Sequence, residues 1–293
     1  MTASPVSADR ASPPVGIERL CVFGMPPVEF VRLAADLDCP CVGLGLTPHR
    51  AYNPHGYPDW SLRDDAALRR ETRAALQASG VGLALMEGFG VGPGANPDRQ
   101  AADLDAVAEL GGRRINAASL ERDLDRAAAG FAVLAEQAAA RGIETVIEIG
   151  PGAARTLAAA VDLVGRIGRP DARLLVDSMH FFRFGSRVDE LRAVDPALIG
   201  YVQLCDAPAR SAFASYMDEA LHDRLAPGEG ELPLADLIAA VPPDVVISVE
   251  VPQRVLVEAG MGPRERVARS ATAARRLIAE VRAAVVQTPP PLA

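Results

Sequence analysis

Lysine is missing altogether: all thirty basic residues of the 293-residue chain are arginine. That absence removes three chemistries, because Schiff-base catalysis, a lysine-anchored pyridoxal cofactor and a Walker A phosphate loop each need a lysine. Cysteine is scarce as well. Cys21, Cys39, Cys41 and Cys205 are scattered through a chain long enough to fold without covalent staples. Cys39-Pro40-Cys41 has a single intervening residue, so it matches neither the redox spacing nor a zinc knuckle, and buried thiols are expected. A formal charge of -8 and a pI near 5.1 leave no general basic footprint for nucleic acid. No apolar run approaches the ~18 residues of a membrane span, and Met1 to Gly16 lack a basic start followed by an apolar block. The expectation is a cytoplasmic protein with neither nucleic acid nor membrane as partner.

What is present is apolar material for one large core, at 49% hydrophobic and 23% charged residues. Residues 1–16 are rich in Pro, Ser and Ala, and three consecutive prolines lie near the other end, so 1–16 and 286–293 are expected to be disordered tails around a domain spanning 17–285. Inside that domain short apolar runs alternate with longer amphipathic stretches, the pattern of repeated β-α units. Strands are predicted at Ile17–Phe23, Cys41–Leu46, Val81–Met86, Arg113–Ala117, Ile143–Ile149, Leu174–Val176, Leu198–Leu204 and Val245–Val251. Helices fall between them, the long Ala-rich one at Leu120–Arg141 and a closing one at Gly262–Val285. A glycine-rich connection, Gly88 to Gly94, follows the third strand, and a polar and aromatic loop, His49 to Trp60, follows the second. Eight such units without an interior linker fit a single (β/α)8 TIM barrel of about 250 residues, with a doubly wound open sheet as the alternative.

Four of the predicted strands end in a side-chain oxygen: Val146-Ile147-Glu148, Leu175-Val176-Asp177, Tyr201-Val202-Gln203 and Ser248-Val249-Glu250. In a barrel these belong to strands five to eight, whose C-terminal ends share the one concave face. Three carboxylates brought together repel one another unless a cation neutralises them, so a divalent metal is the simplest resolution. The set of Glu148, Asp177, Gln203 and Glu250 is all oxygen, which suits Mg2+ or Mn2+ better than Zn2+. His180, three residues after Asp177, falls in the following loop and is a candidate acid or base. Each residue alone has a plainer reading: Asp177 as a helix cap, Gln203 as a core amide, His180 as a packed side chain. Their joint occurrence at four successive strand ends favours the site.

These segments, with Gln203-Leu-Cys-Asp206-Ala-Pro and Arg224-Leu-Ala-Pro-Gly-Glu-Gly-Glu-Leu-Pro, resemble the sugar phosphate isomerase/epimerase superfamily, the xylose isomerase-like TIM barrels. That superfamily also includes metal-dependent endonucleases that cut at abasic sites. The resemblance spans about Ile17 to Val285 and is specific in the second half. It implies metal ligation by Glu148, Asp177, the residue at 203 and Glu250, with His180 beside the ion and Arg224 reaching toward the substrate. Many members have histidine where Gln203 stands. Glutamine there looks like the branch containing dehydratases of the 3-dehydroshikimate type.

A divalent ion bound to a carbonyl and its neighbouring hydroxyl acidifies the adjacent C–H, which opens epimerisation, aldose-ketose isomerisation or loss of a β-hydroxyl. In the epimerase reading Glu148 and Glu250 exchange the proton across the two faces of a small polyhydroxy substrate; in the dehydratase reading His180 does the acid-base work. Arg224, Asp206, His55 in the aromatic loop and Glu87 at the end of the third strand are the candidates for substrate contact. The leading expectation is a metal-dependent isomerase or epimerase, with the dehydratase second. An abasic-site endonuclease is a distant third for an acidic chain with four histidines, and a catalytically inactive barrel is the non-enzymatic alternative. The oligomeric state stays open, a homo-oligomer included.

Overall fold

The computed structural model of the chain describes residues 13–48 and 52–287. Most of the two expected tails, and His49, therefore lie outside the described residues. Strands β1 (Gly16–Glu18), β2 (Cys41–Gly45), β3 (Gly82–Val91), β4 (Arg114–Ser119), β5 (Glu144–Glu148), β6 (Ala172–Asp177), β7 (Ile199–Leu204) and β8 (Ile247–Val249) pair in parallel and in sequence order, and β8 closes on β1. This is the closed barrel expected from the alternation. The open sheet is ruled out by that last pairing.

The helices in chain order are α1 (Pro27–Asp36), α2 (Ala66–Ser79), α3 (Pro97–Leu110), α4 (Leu124–Ala139), α5 (Leu157–Ile167), α6 (Ser178–Arg183), α7 (Val188–Arg192), α8 (Tyr216–His222), α9 (Leu234–Ala240), α10 (Arg254–Glu258) and α11 (Pro263–Gln287). Local chemistry sets their starts: the side chains of Asp65, Asn96, Asp123 and Thr156 accept hydrogen bonds from the first-turn amides of α2, α3, α4 and α5. Their apolar faces bury Phe30, Val31, Leu104, Val107, Phe131, Leu134, Leu163 and Ile278 in the main core cluster. No helix of the described residues is long and apolar enough to cross a membrane.

Alternation along the strands positions the site. Side chains two residues apart share a face, and the residues two before Glu87, Glu148, Asp177 and Gln203 are Leu85, Val146, Leu175 and Tyr201, a separate small cluster of fully buried side chains. The residue two before Glu250 is Ser248, whose hydroxyl bonds Glu18, as does the hydroxyl of Tyr201 at 2.8 Å. One buried layer, apolar except for the Glu18–Tyr201–Ser248 group, thus underlies the polar strand ends.

Several boundaries differ from the sequence expectation. The first strand stops at Glu18, and Arg19–Val22 form a 3-10 turn ending at Phe23 in the left-handed region, φ 44°. Leu20, Cys21, Val22 and Phe23 are apolar because this turn is buried; Cys21 Sγ donates to the Val249 carbonyl at 3.3 Å and accepts from the Val251 amide at 3.2 Å. A buried turn and a buried strand look alike in an apolar run. The third strand runs on through most of the glycine-rich segment, Phe89, Gly90 and Val91 pairing with Ala117, Ala118 and Ser119 after a register shift. Helix α4 begins at Leu124 behind its Asp123 cap, leaving Leu120 79% exposed. Helices α8 and α10 have no counterpart in the sequence reading, and α6 enters it only through Asp177 as a helix cap. All four cysteines are free, as expected, three of them buried and Cys41 half-buried.

Candidate metal centre

At the mouth of the barrel Glu87, midway along β3, meets the residues at the ends of β5, β6, β7 and β8, namely Glu148, Asp177, Gln203 and Glu250, with Arg224 between Asp177 and Glu250. Asp177 is fully buried and does two things. Its Oδ1 accepts from the His180 amide at 2.9 Å, starting α6, and its Oδ2 accepts from Arg224 Nη1 at 2.7 Å. The cap reading holds on Oδ1, while Oδ2 faces the other polar strand ends through Arg224. Arg224 Nη1 also lies 3.0 Å from Glu250 Oε2, so one guanidinium bridges two carboxylates. Its Nε donates to the Ala220 carbonyl at 2.8 Å.

Gln203 Nε2 donates to Glu87 Oε1 at 3.0 Å and lies 3.4 Å from Glu250 Oε1. Two acceptors fix the amide nitrogen on that side, and Oε1 is left buried with no hydrogen-bond partner. Glu148 accepts from Asn116 Nδ2 at 3.0 Å, and its other oxygen lies 3.3 Å from His180 Nε2. The far nitrogen of His180 is 2.7 Å from the Tyr216 hydroxyl, which holds the ring in place.

Charge at this mouth is unbalanced. Counted as ionised, Glu87, Glu148, Asp177 and Glu250 meet two guanidiniums among the described residues, Arg19 and Arg224, a formal excess of two negative charges. Burial, and then crowding by Glu87, Asp177 and Glu148, drive the Glu250 carboxyl well above the ordinary range, although Arg224 pulls the other way. Burial also pushes Asp177 up, but Arg224, His180 and its hydrogen bonds outweigh that and hold it below its usual value. A buried acceptor without a donor and an uncompensated pair of negative charges are what a divalent cation would satisfy, so these residues fit such an ion. Glu148, Asp177 and His180 also place one ligand atom each within 4.8 Å of one another. An imidazole nitrogen is therefore available beside the oxygen set, and zinc is less disfavoured than the four oxygens alone implied.

A cavity of about 510 Å3 opens over this group, lined by Arg19, Glu87, Asn116, Glu148, His180, Tyr216, Arg224 and Glu250 among others. The structure does not bring His55 and Asp206 to its wall. His55 Nε2 sits 3.2 Å from Arg266 Nη2. Asp206 accepts the amides of Ala207, Gly228 and Leu232 and so ties down the loop that follows Arg224. In the structure these two expected contacts pack against Arg266 and hold the loop after Arg224, respectively.

Arg19, Asn116 and Tyr216 were not singled out by sequence. Asn116 had a signal, a lone amide inside the apolar run of β4. Arg19 was hidden because the apolar run suggested that the strand continued past it. Tyr216 sits on α8 in a stretch with no apolar periodicity, and nothing marked it.

Among curated proteins none matches this sequence. Solved structures do match in fold: the IolI protein with a bound zinc atom (TM-score 0.76, 15% identity, 92% of this chain and 99% of that one), the probable 3-DHS dehydratase AsbF of Bacillus anthracis (0.65, 13%, 94% and 100%), and D-allulose 3-epimerase of Methylomonas sp. in complex with D-allulose (0.65, 14%, 90% and 96%). At these identities the likeness concerns the fold. The family model described as the xylose isomerase-like TIM barrel matches residues 31–277, most of the chain, and it is to this family that the protein belongs.

Proposed function

We propose that the protein is a divalent-metal-dependent isomerase or epimerase of a small polyhydroxy carbonyl compound. The observation that carries this reading is Gln203 Oε1, buried and partnerless on an amide whose nitrogen faces the carboxylates of Glu87 and Glu250. Glu148, Asp177, Gln203 and Glu250 would hold the ion, with His180 as a further donor. When bound, it would polarise a substrate carbonyl and acidify the neighbouring C–H.

The residues supply the rest. Glu148 and Glu250 stand on β5 and β8, on different sides of the mouth, so each presents a carboxylate to one face of a bound substrate. One removes the proton beside the carbonyl and the other returns a proton to the opposite face. Asn116 orients the first of them, and Arg224 the second. The cavity above, about 510 Å3, has room for a compound of sugar size.

A dehydratase is the second reading, favoured by the His180–Tyr216 pair: a histidine fixed by a hydroxyl on one nitrogen is suited to deliver a proton to a departing hydroxyl with the other. Incubation of the Mn2+-loaded protein with D-fructose, followed by chromatography for its C3 epimer, tests the first reading. The same preparation with 3-dehydroshikimate, watched for an aromatic product in the ultraviolet, tests the second. Turnover of none of D-fructose, its anionic analogues 2-keto-D-gluconate and D-fructose 6-phosphate, and 3-dehydroshikimate, with metal bound, would count against both.

A further inference from the structure

Arg224 is committed within the protein at two of its three nitrogens: its Nη1 bridges Asp177 and Glu250, and its Nε serves a backbone carbonyl. Arg19 is not. It leaves the barrel at the end of β1 and crosses the end of β2, where an added Cβ on Gly45 would lie 3.0 Å from its Nε and 3.1 Å from its Cδ and Cζ. Beyond Gly45 it pairs with Glu87 on β3 through Nε. Among the described residues it makes no other hydrogen bond, and its side chain, 21% exposed, lines the cavity. Both Nη groups, four N–H donors, are thus left on the cavity wall by a side chain that the glycine and Glu87 hold in place.

A guanidinium anchored at Nε and open at its Nη end is a fork for two oxygens of one anion. The formal charge of the mouth would not repel such a group once a divalent cation balanced the two excess negative charges. We propose that Arg19 is a specificity-determining residue that receives a carboxylate or phosphate of the substrate, so that the substrate is an anionic polyhydroxy carbonyl compound. The assignment rests on the reading of this cavity as the substrate site, and it names the substrate class that the reading leaves open. It also gives the Gly45 position a purpose, since a Cβ there would crowd the arginine and force it to give by a few tenths of an ångström.

Three probes of one carbon skeleton test it by calorimetry on Mn2+-saturated protein: D-fructose, 2-keto-D-gluconate and D-fructose 6-phosphate. At least one of the anions should bind about tenfold more tightly than fructose or better, a difference of about 1.4 kcal/mol. The tighter anion tells carboxylate from phosphate. Arg19→Gln should reduce the ratio to within about threefold, while Arg19→Lys, which keeps the charge but loses the fork, should retain part of it. Gly45→Ala, whose Cβ would crowd the arginine at 3.0 Å from Nε and shift its fork without deleting it, should lower the ratio too and covers the case in which Arg19→Gln fails to fold. No binding of either anion, no preference over fructose, or a preference that survives both Arg19→Gln and Gly45→Ala overturns the assignment. Epimerisation of fructose without anion preference would remove Arg19 and keep the enzyme reading; Arg19-dependent anion binding without turnover of any probe would do the reverse.

Discussion

Replacing Glu18 by glutamine should change the slope of stability against pH. Glu18 is completely buried under the site, with Tyr201 and Ser248 both bonded to Oε1 and no partner for Oε2. Burial first, and then the charge of Glu87, raise its carboxyl from an ordinary 4.5 to about 8, against the opposing pull of the two hydrogen bonds and Arg19. Between those values the folded protein holds a proton that the unfolded chain has released. The contribution is fully present below 4.5 and is lost as pH rises toward 8, at about 1.4 kcal/mol per pH unit. From pH 5 to pH 8 this one group should cost the wild type about 4 kcal/mol relative to Glu18→Gln. In a chain of this size that is on the order of 8 °C in Tm. Glutamine keeps an acceptor for Tyr201 and Ser248 but places an unpaired amide at the Oε2 position, at about 1–3 kcal/mol independent of pH. The test is therefore the slope and not the offset: urea unfolding of both proteins at unit steps from pH 5 to 9. The gap should open steadily in favour of the variant and level off above pH 8. Parallel curves would refute a buried, proton-holding Glu18.

Arg224→Met removes the cation from between two buried carboxylates and should destabilise the metal-free fold by about 3–5 kcal/mol in the same assay; a loss within experimental error would mean that the bridge is not formed. Gly43→Ala would put a Cβ 1.5 Å from Glu18 Oε2, and the displacement should cost about 1–3 kcal/mol. That cost should shrink in the Glu18→Ala background, which a double-mutant cycle would measure. Tyr216→Phe releases His180 Nδ1 and should lower kcat on whichever substrate turns over by about tenfold with an unchanged Tm; unaltered kcat would take the tyrosine out of the site.

The legible part of this molecule was the part governed by strand periodicity. Glu148, Asp177, Gln203 and Glu250 could be placed from sequence because each closes a short apolar run, and consecutive barrel strands are neighbours. Their hydrogen-bond partners could not be placed in that way. Arg224 was expected to reach toward the substrate, and it does line the cavity, but sequence did not show that its Nη1 is held by Asp177 and Glu250, residues 47 and 26 positions away in the chain. Arg19 and Glu18 were hidden by a buried 3-10 turn whose side chains continue the apolar pattern of β1. The glycine-rich stretch after Glu87 suggested a loop because glycine weakens strands in general, but here Phe89–Val91 pair with β4 once Gly88, at φ 98°, absorbs the bend. Asp206 and His55 are polar residues in loops, and loop polarity alone does not say which side of the chain faces a cavity.

The central claim is that the four strand-end oxygens hold a divalent cation. Calorimetric titration of chelator-treated protein with Mn2+ and with Zn2+, backed by elemental analysis, tests it most directly. One ion should bind per chain, and Asp177→Asn and Gln203→Leu should each weaken binding on the order of tenfold or more. A wild-type protein that binds neither ion, or variants that bind as well as the wild type, would contradict the account.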